Sequence, residues 1–288
     1  MMLEIKNLTK YYDDVLGVEN LSLSLKKGEV FGFIGPNGAG KSTTIRAVMN
    51  LINKNEGLIL IDGQKFTKEN IKLKEIIGYL PSEIHLYKDL TVKEMLDFHE
   101  SFYQKNIHPK RNELVKLLKL DELKKIEELS LGNIKKLGIV LAFMHDPKLI
   151  ILDEPTSGLD PIMQQTFYEI IKKEKENGAT ILYSSHVLSE IAKICDRVGI
   201  IKDGRLLKVE NIEEIKKINL TNITIESSEI EKIVENLKVK VYFKENNIIK
   251  FKNELNCDKL IKELSKYKID KLLIEEVFIE DLLLYYYK

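Results

Sequence analysis

The chain has 288 residues, 44% of them hydrophobic, with 45 basic and 45 acidic side chains and a formal net charge of +0. That length suggests about two domains with enough apolar material for a sizeable core, and the charge balance excludes a global field drawing the chain onto nucleic acid or anionic lipid. The longest apolar run, Leu137 to Met144, is broken only by Gly138 and falls far short of the ~20 residues that span a bilayer. The opening Met-Met-Leu-Glu-Ile-Lys lacks the basic start and apolar core of a signal peptide. Cys195 and Cys257 are too few for a disulfide framework, so a reducing cytoplasm is expected.

Leu3 to Leu8 and Leu21 to Leu25 alternate apolar and polar side chains, which predicts half-buried strands. Lys26-Lys27-Gly28-Glu29 then turns the chain into Val30-Phe31-Gly32-Phe33-Ile34, a short buried strand. It runs into Gly35-Pro36-Asn37-Gly38-Ala39-Gly40-Lys41-Ser42-Thr43, the G-x-x-x-x-G-K-S/T pattern of a phosphate-binding loop, and Thr44 to Leu51 opens a helix. Gly35, Gly38 and Gly40 are expected at φ > 0, so that successive N–H groups turn inward as an anion nest. The helix N-terminus adds partial positive charge. Lys41 brings a full charge to the β- and γ-phosphates of a nucleotide, and the Ser42 hydroxyl suits Mg²⁺. The bland alternative is a glycine-rich turn that only joins strand to helix.

Gly57 to Ile61 and Ile76 to Leu80 read as further strands, the second stopped at Pro81. Thr91-x-x-Glu94 is a capping box, with Val92, Met95, Leu96, Phe102 and Tyr103 at helical spacing behind it. His99 on that stripe reads as a packed histidine rather than a ligand. Pro109 opens a second helical stretch carrying Leu114, Leu117 and Leu118, so roughly Leu90 to Met144 is a helical insert.

Leu149-Ile150-Ile151-Leu152 is the continuous apolar run of a strand buried on both faces, and it ends in Asp153-Glu154-Pro155. A helix follows, with Ile162, Met163, Thr166, Phe167, Ile170 and Ile171 in register. Thr180 to Tyr183 is the next strand, ending at Ser184-Ser185-His186. Alternating strand and helix predict an open, mainly parallel α/β sheet, whose ligands sit beyond the carboxyl ends of the strands. The phosphate loop, Asp153-Glu154 and His186 each follow a strand, so one site can gather all three. Asp153 suits the Mg²⁺ of a bound nucleotide, and Glu154 the orienting or deprotonating of an attacking water. The alternative for Asp153 is a cap on the next turn.

Asp203-Gly204 predicts a hairpin turn, and the Lys- and Glu-rich run from Glu210 to Lys217 a connector. The remainder reads as strand Ile223 to Glu226, helix Glu229 to Leu237, hairpin Val239 to Lys252 and helix Asp258 to Tyr267. It closes with a tail ending Leu282-Leu283-Leu284-Tyr285-Tyr286-Tyr287. Cys195 reads as a small buried hydrophobe.

Leu129-Ser130-Leu131-Gly132-Asn133 precedes the Asp153-Glu154 pair by about twenty residues, and Ser157-Gly158-Leu159-Asp160 follows it. With the phosphate loop and His186, this ordered set resembles the ATP-binding subunits of ABC transporters: a variant signature motif, a D-loop and a switch histidine. Tyr12 sits where that family stacks an aromatic on adenine. The C-terminal part from about Asn219, with its stretch from Glu275 to Leu282, resembles the C-terminal extension of bacterial exporter-type subunits. The resemblance implies an ATPase that binds ATP and Mg²⁺ and pairs head to tail with a second ATP-binding subunit. Ser130, Gly132 and Asp160 of one copy then complete the site of the other, and separate multi-spanning membrane subunits carry the cargo. It implies a place in the cytoplasm, peripheral on the inner face of the cell membrane. Where the family has Gln as a metal and water ligand after Pro81, this chain has Ser82. The signature carries Leu131 for Gly and Asn133 for Gln, and its second half, Ile134-Lys135-Lys136, is basic. Ser130 is equally an N-cap of the helix that follows. The competing expectations are an ATP-driven switch acting on ribosomes or DNA, and a regulatory subunit with weak hydrolysis. The balanced charge and single phosphate loop argue against nucleic acid as a partner.

The fold class expected is α/β: a P-loop NTPase sheet with an antiparallel β subdomain and an inserted helical subdomain, plus a small C-terminal α+β domain. The expected domains are about 1–215, with its helical part at about 90–145, and about 219–288.

Overall fold

The computed structural model describes residues 1–217, 221–237, 239, 241–253 and 257–276, which divide into two compact units, Met1–Asn211 and Ile212–Lys288. The first begins with β1 (Leu3–Tyr12), β2 (Val15–Leu25), β3 (Val30–Ile34), α1 (Lys41–Val48), β4 (Glu56–Ile61), β5 (Gln64–Lys65), α2 (Ile71–Lys74) and β6 (Ile77–Leu80). It continues through α3 (Val92–Glu100), α4 (His108–Leu118), α5 (Leu131–Phe143), β7 (Leu149–Asp153), α6 (Pro161–Glu176), β8 (Thr180–Ser185), α7 (Leu188–Ile194), β9 (Arg197–Lys202) and β10 (Arg205–Asn211).

Two sheets result, an antiparallel one in the order β2-β1-β4-β5 and a six-stranded one in the order β10-β9-β3-β8-β7-β6. In the second sheet β9, β3, β8, β7 and β6 pair in parallel, and β10 turns back antiparallel through the Asp203-Gly204 hairpin. Every residue of β3 and of β7 is buried, as strands covered on both faces require. Leu3, Ile5 and Leu21 of the antiparallel sheet share a core with Ile45 and Val48 of α1 and with Phe31, Phe33 and Ile151. Burying each such side chain contributes about 1.5–3 kcal/mol, so this core anchors both ends of the phosphate loop.

The helical insert between β6 and β7 has the expected capping box. Thr91 Oγ1 accepts from the Glu94 amide at 3.2 Å, and Glu94 Oε2 accepts from the Thr91 amide at 2.8 Å. Its stripe is shorter than the spacing predicted. Helix α3 stops at Glu100, Phe102 is 61% exposed, and it meets the Phe98 ring edge-on at 5.0 Å rather than entering the core. Arg111 of α4 is fully buried and donates to Asp97, to Glu100 at 2.9 Å and to Glu122 at 3.1 Å, which pins α3 and α4 to the loop between α4 and α5. Helix α5 lies directly on β6: a Cβ at Gly78 would meet the Ala142 carbonyl oxygen at 2.0 Å, so only glycine allows this approach. Ile162, placed on the α6 stripe by its spacing, is exposed on the outer face it shares with Gln165 and Glu169, while Met163 in the same turn is buried.

The second unit comprises α8 (Ile212–Lys217), β11 (Thr221–Glu226), α9 (Ile230–Leu237), β12 (Val241–Glu245), β13 (Ile248–Asn253), α10 (Cys257–Leu264) and β14 (Lys271–Glu276). The sheet runs β12-β13-β11-β14 with every neighbouring pair antiparallel, which makes the unit a split βαβ arrangement, β-α-β-β-α-β. Ile223, Ile225, Ile249 and Phe251 on one sheet face pack with Ile230, Ile233, Leu260 and Leu264 of the two long helices. Strand β14 lies where the sequence was read as running into a tail. The segment after Glu276, with the Leu and Tyr run, lies outside the described residues.

Candidate functional site

The phosphate loop leaves β3 and enters α1. Gly38 and Gly40 have φ of 80° and 103°, the left-handed region that glycine occupies without cost. Gly35 does not share it and is required for another reason: a Cβ there would lie 2.3 Å from the Ile201 carbonyl oxygen. The expectation of φ > 0 at all three glycines is corrected to two. The Ala39 amide donates to Pro36 O at 3.1 Å and the Thr44 hydroxyl to Gly40 O at 2.8 Å, closing the loop onto the helix start. Pro36, Asn37 and Gly38 form its exposed crest. Ser42 and Thr43 stand half-buried in the first turn of α1. Lys41 is buried, and its Nζ donates to Gly35 O at 2.7 Å and Pro36 O at 3.2 Å.

Strand order then brings the other groups in. β8 sits between β3 and β7, so the strand-end residues of β7 and β8 lie beside the loop. Lys41 Nζ is 3.4 Å from Glu154 Oε1, and Glu154 Oε2 is 2.9 Å from His186 Nδ1. Glu154 thus stands between the loop lysine and the histidine. Its backbone is left-handed, with φ of 48°, a strained conformation for glutamate of the kind that clusters at functional sites. Asp153 is fully buried. Its Oδ1 accepts from Ser184 Oγ at 2.7 Å, and its Oδ2 has no hydrogen-bond partner. A buried carboxylate oxygen left unpaired is costly. Beside a phosphate loop, that hard oxygen fits a Mg²⁺ completed by the Ser42 hydroxyl and phosphate oxygens.

The Tyr12 ring lies at the edge of this site, since a Cβ at Gly17 would touch both Tyr12 and Thr43 at 3.1 Å. It is 42% exposed, with Lys10 Nζ 4.9 Å from its centroid. Ser82 meets the site through its backbone: its carbonyl, like that of Pro81, accepts from Lys135 Nζ at 3.4 Å. Ser130, Gly132 and Asp160 gather elsewhere on the unit. Ser130 N-caps α5, accepting from the Asn133 amide at 3.4 Å, and Asp160 N-caps α6, accepting from Met163 at 2.9 Å. The Gly158 carbonyl lies 3.2 Å from where a Cβ of Gly132 would stand. The signature and D-loop residues are therefore packed on each other, and Leu131 beside them is exposed.

Sequence reasoning passed over Ser184, which holds both Asp153 and the Glu154 amide, the latter at 3.2 Å. It noted Lys135 only as part of a basic run. Lys135 is buried, and burial pulls its ammonium down to about 8 while the Asp153 and Glu154 carboxylates oppose the shift. Burial beside Asp153 pushes the Tyr79 hydroxyl up to about 12. Cys195 is buried and its thiol is pushed well up by burial, so it is inert packing, as expected.

A phosphate loop, a strand-tip Asp-Glu pair and a histidine on the next strand define a P-loop ATPase. The ABC transporter family pattern matches residues 18–157. The linearmycin resistance ATP-binding protein LnrL of Bacillus subtilis (strain 168) is 40% identical over 213 residues, 72% of this chain and 68% of that protein. The bacitracin transport ATP-binding protein BcrA of Bacillus licheniformis is 38% identical over 238 residues, 81% of this chain and 77% of that one. A solved ATP-binding subunit of an ABC transporter superposes with a TM-score of 0.70 at 30% identity, covering 75% of this chain and 92% of its own. A dimeric ATP-binding cassette in a post-hydrolysis state with ADP and Pi superposes at 0.66 and 25% identity, covering 73% and 99%. The chain belongs to the ABC transporter ATP-binding proteins and is an ATPase of that family.

Proposed function

We propose that this chain is the ATP-hydrolysing motor of an exporter and that Glu154 is its general base. The observation that carries the proposal is the Glu154 carboxylate, 3.4 Å from Lys41 Nζ and 2.9 Å from His186 Nδ1, beside the unpartnered Asp153 Oδ2. Glu154 takes a proton from water as its oxygen attacks the γ-phosphorus, and the bond to the ADP oxygen breaks. Lys41 and the loop amides of Gly35 to Thr43 hold the phosphates, and His186 orients Glu154. Asp153 and the Ser42 hydroxyl would hold Mg²⁺, with Ser82 a further candidate ligand, and the ion would offset charge on the phosphate oxygens. Tyr12 carries the adenine face.

The packing of Gly132 against Gly158, with Ser130 and Asp160 capping the helices on either side, supports head-to-tail dimer closure. A second copy would present these N-terminal helix donors to the γ-phosphate only when ATP draws the two together. Among the described residues no helix is long and apolar enough to cross a membrane. Membership of the ATP-binding proteins of ABC transporters supports membrane-spanning partners on separate chains and a place for this subunit on the cytoplasmic side. Exposed Tyr87, Phe98 and Phe102, meeting edge to edge just beyond β6 on the helical insert, form a ridge for such a partner. Relatives named for linearmycin resistance, bacitracin transport and lantibiotic transport support an antibiotic as cargo. The catalytic domain takes in about residues 1–215, and 219–288 is an accessory domain.

Glu154→Gln tests the reading. ATPase turnover is expected to fall about 10²–10⁴-fold while Mg-ATP still binds and drives dimer formation in size-exclusion chromatography. Turnover at the normal rate would remove Glu154 as the base. Cells that lose the subunit should become more sensitive to the exported antibiotic, and unchanged sensitivity across such compounds would count against this cargo.

A further inference from the structure

The parallel ladder between β7 and β8 runs as far as Asp153 opposite Ser184 and stops there. Glu154 turns left-handed at the next position, so no ladder bond sets the spacing between Glu154 and His186. Ser184 Oγ, accepting from the Glu154 amide at 3.2 Å, is the last tie at the strand ends, and beyond it two loops leave adjacent strands with side chains that meet at 2.9 Å. The contacts at the head of α7 add a second tie, farther along both loops.

Glu190, in the first turn of α7, accepts three hydroxyl hydrogen bonds. Thr156 Oγ1 donates to its Oε1 at 2.8 Å, and Ser185 Oγ and Tyr183 OH donate to its Oε2 at 2.8 and 3.2 Å. All three hydroxyl residues are buried. Thr156 lies two residues after Glu154, and Ser185 lies one before His186. Ser185 Oγ also accepts from the Val187 amide at 2.9 Å, which shapes the turn that carries His186. One carboxylate therefore grips both loops immediately beyond the point where the sheet stops holding them.

We propose that Glu190 is a positioning residue for hydrolysis: it clamps the Glu154 loop to the His186 loop and so holds the general base and its histidine partner at working distance. The proposal rests on the roles given above to Glu154 and His186. The chemistry favours a carboxylate. Ionised glutamate has only acceptors, enough for three donating hydroxyls, whereas glutamine offers one acceptor oxygen and a competing NH₂ donor. A carboxylate one methylene shorter leaves part of the reach uncovered. Displacement of a catalytic group by about 1 Å can cost on the order of a hundredfold in rate, so modest slack between the loops is enough to be measured.

The test uses the full chain and reads kcat and KM for Mg-ATP together with thermal stability. Glu190→Gln and Thr156→Val should each lower kcat about 10- to 100-fold while KM changes less than about twofold. Thr156→Ser keeps the donor hydroxyl and should restore kcat to within about threefold of the parent. Adding Glu190→Gln to a Thr156→Val/Ser185→Ala variant should cost little more, because the clamp is already open. An unchanged kcat in folded Glu190→Gln overturns the clamp. So does a loss of rate that only follows a loss of folded protein, or Thr156→Ser behaving as Thr156→Val does. Glu154→Gln is the control for the underlying reading. A normal rate there overturns the base itself, whereas a lost rate there with a normal rate in Glu190→Gln overturns the role of Glu190 alone.

Discussion

Two of the buried cations in the first unit, Arg111 and Lys41, have opposite habits. Arg111 in the helical insert is closed on itself, its guanidinium shared among Asp97, Glu100 and Glu122. Lys41 in the phosphate loop is held by two carbonyls of its own loop and lies within 3.4 Å of a single carboxylate, which His186 shares. Beside it Asp153 Oδ2 has no partner. The Arg111 charge is fully paired with carboxylates even though its Nε has no hydrogen-bond partner, because an unpaired buried charge costs several kcal/mol. The nucleotide site leaves a carboxylate oxygen without a partner beside a buried lysine, and that incompleteness is what a charged ligand can complete.

Substitutions on the two sides should separate these habits. The largest effect is expected from Lys41→Ala, which removes the one full positive charge of the loop. Mg-ATP affinity should fall by about 2–5 kcal/mol, on the order of a hundredfold or more in Kd by calorimetry, with thermal stability little changed. Arg111→Met should do the reverse. Stability should fall by about 3 kcal/mol, the low end for breaking a buried pair because the three carboxylates keep some contact with water. Nucleotide affinity per folded molecule should hold. If Arg111→Met instead weakened ATP binding at unchanged stability, the contrast would collapse.

His145 sharpens the comparison through pH. Its ring is buried, stacked on Tyr103 at 4.6 Å, with Nε2 3.0 Å from Ile77 O. Burial, with His99 and Lys105 nearby, pushes it down from 6.5 to about 4. Above pH 6.5 both folded and unfolded chains carry it neutral. As pH falls from 6.5 toward 4 the unfolded chain binds a proton that the folded one refuses, so stability is lost across that window. At about 1.4 kcal/mol per unit the loss approaches about 3 kcal/mol. Urea midpoints at pH 7 and 4.5 should differ less in His145→Gln than in the parent, and an equal difference would relieve His145 of the role. Tyr12→Ala carries the smallest expected effect, a rise of about 3- to 10-fold in KM for ATP with kcat unchanged, as loss of one aromatic platform implies.

Much of the site was legible because its parts are contiguous or stand at strand ends. The nine residues from Gly35 to Thr43 carry their pattern in the open, and the apolar run Leu149 to Leu152 announces that Asp153 and Glu154 sit at the tip of a buried strand. Ser184, Lys135 and Glu190 gave no comparable signal. Each acts on a residue 30 to 54 positions away or on two loops at once, and a serine, a lysine in a basic run and a glutamate early in a helix look alike wherever they point. Phe102 was misplaced because helical spacing continues past the residue where the helix stops. Strand β14 was missed because Leu272-Leu273-Ile274 does not alternate, and its pairing with β11 depends on contacts from a distant segment.

The sequence by itself determined that this chain grips a phosphate, since a glycine-lined turn followed by lysine and serine does so through backbone amides that need only local bending. Tertiary structure alone decided which groups the carboxylates meet. The order β3-β8-β7 carries Lys41, His186 and Glu154 to the carboxyl end of the sheet, and it leaves Asp153 half satisfied. No spacing along the chain encodes which strands will be neighbours; that follows from the packing of the whole sheet.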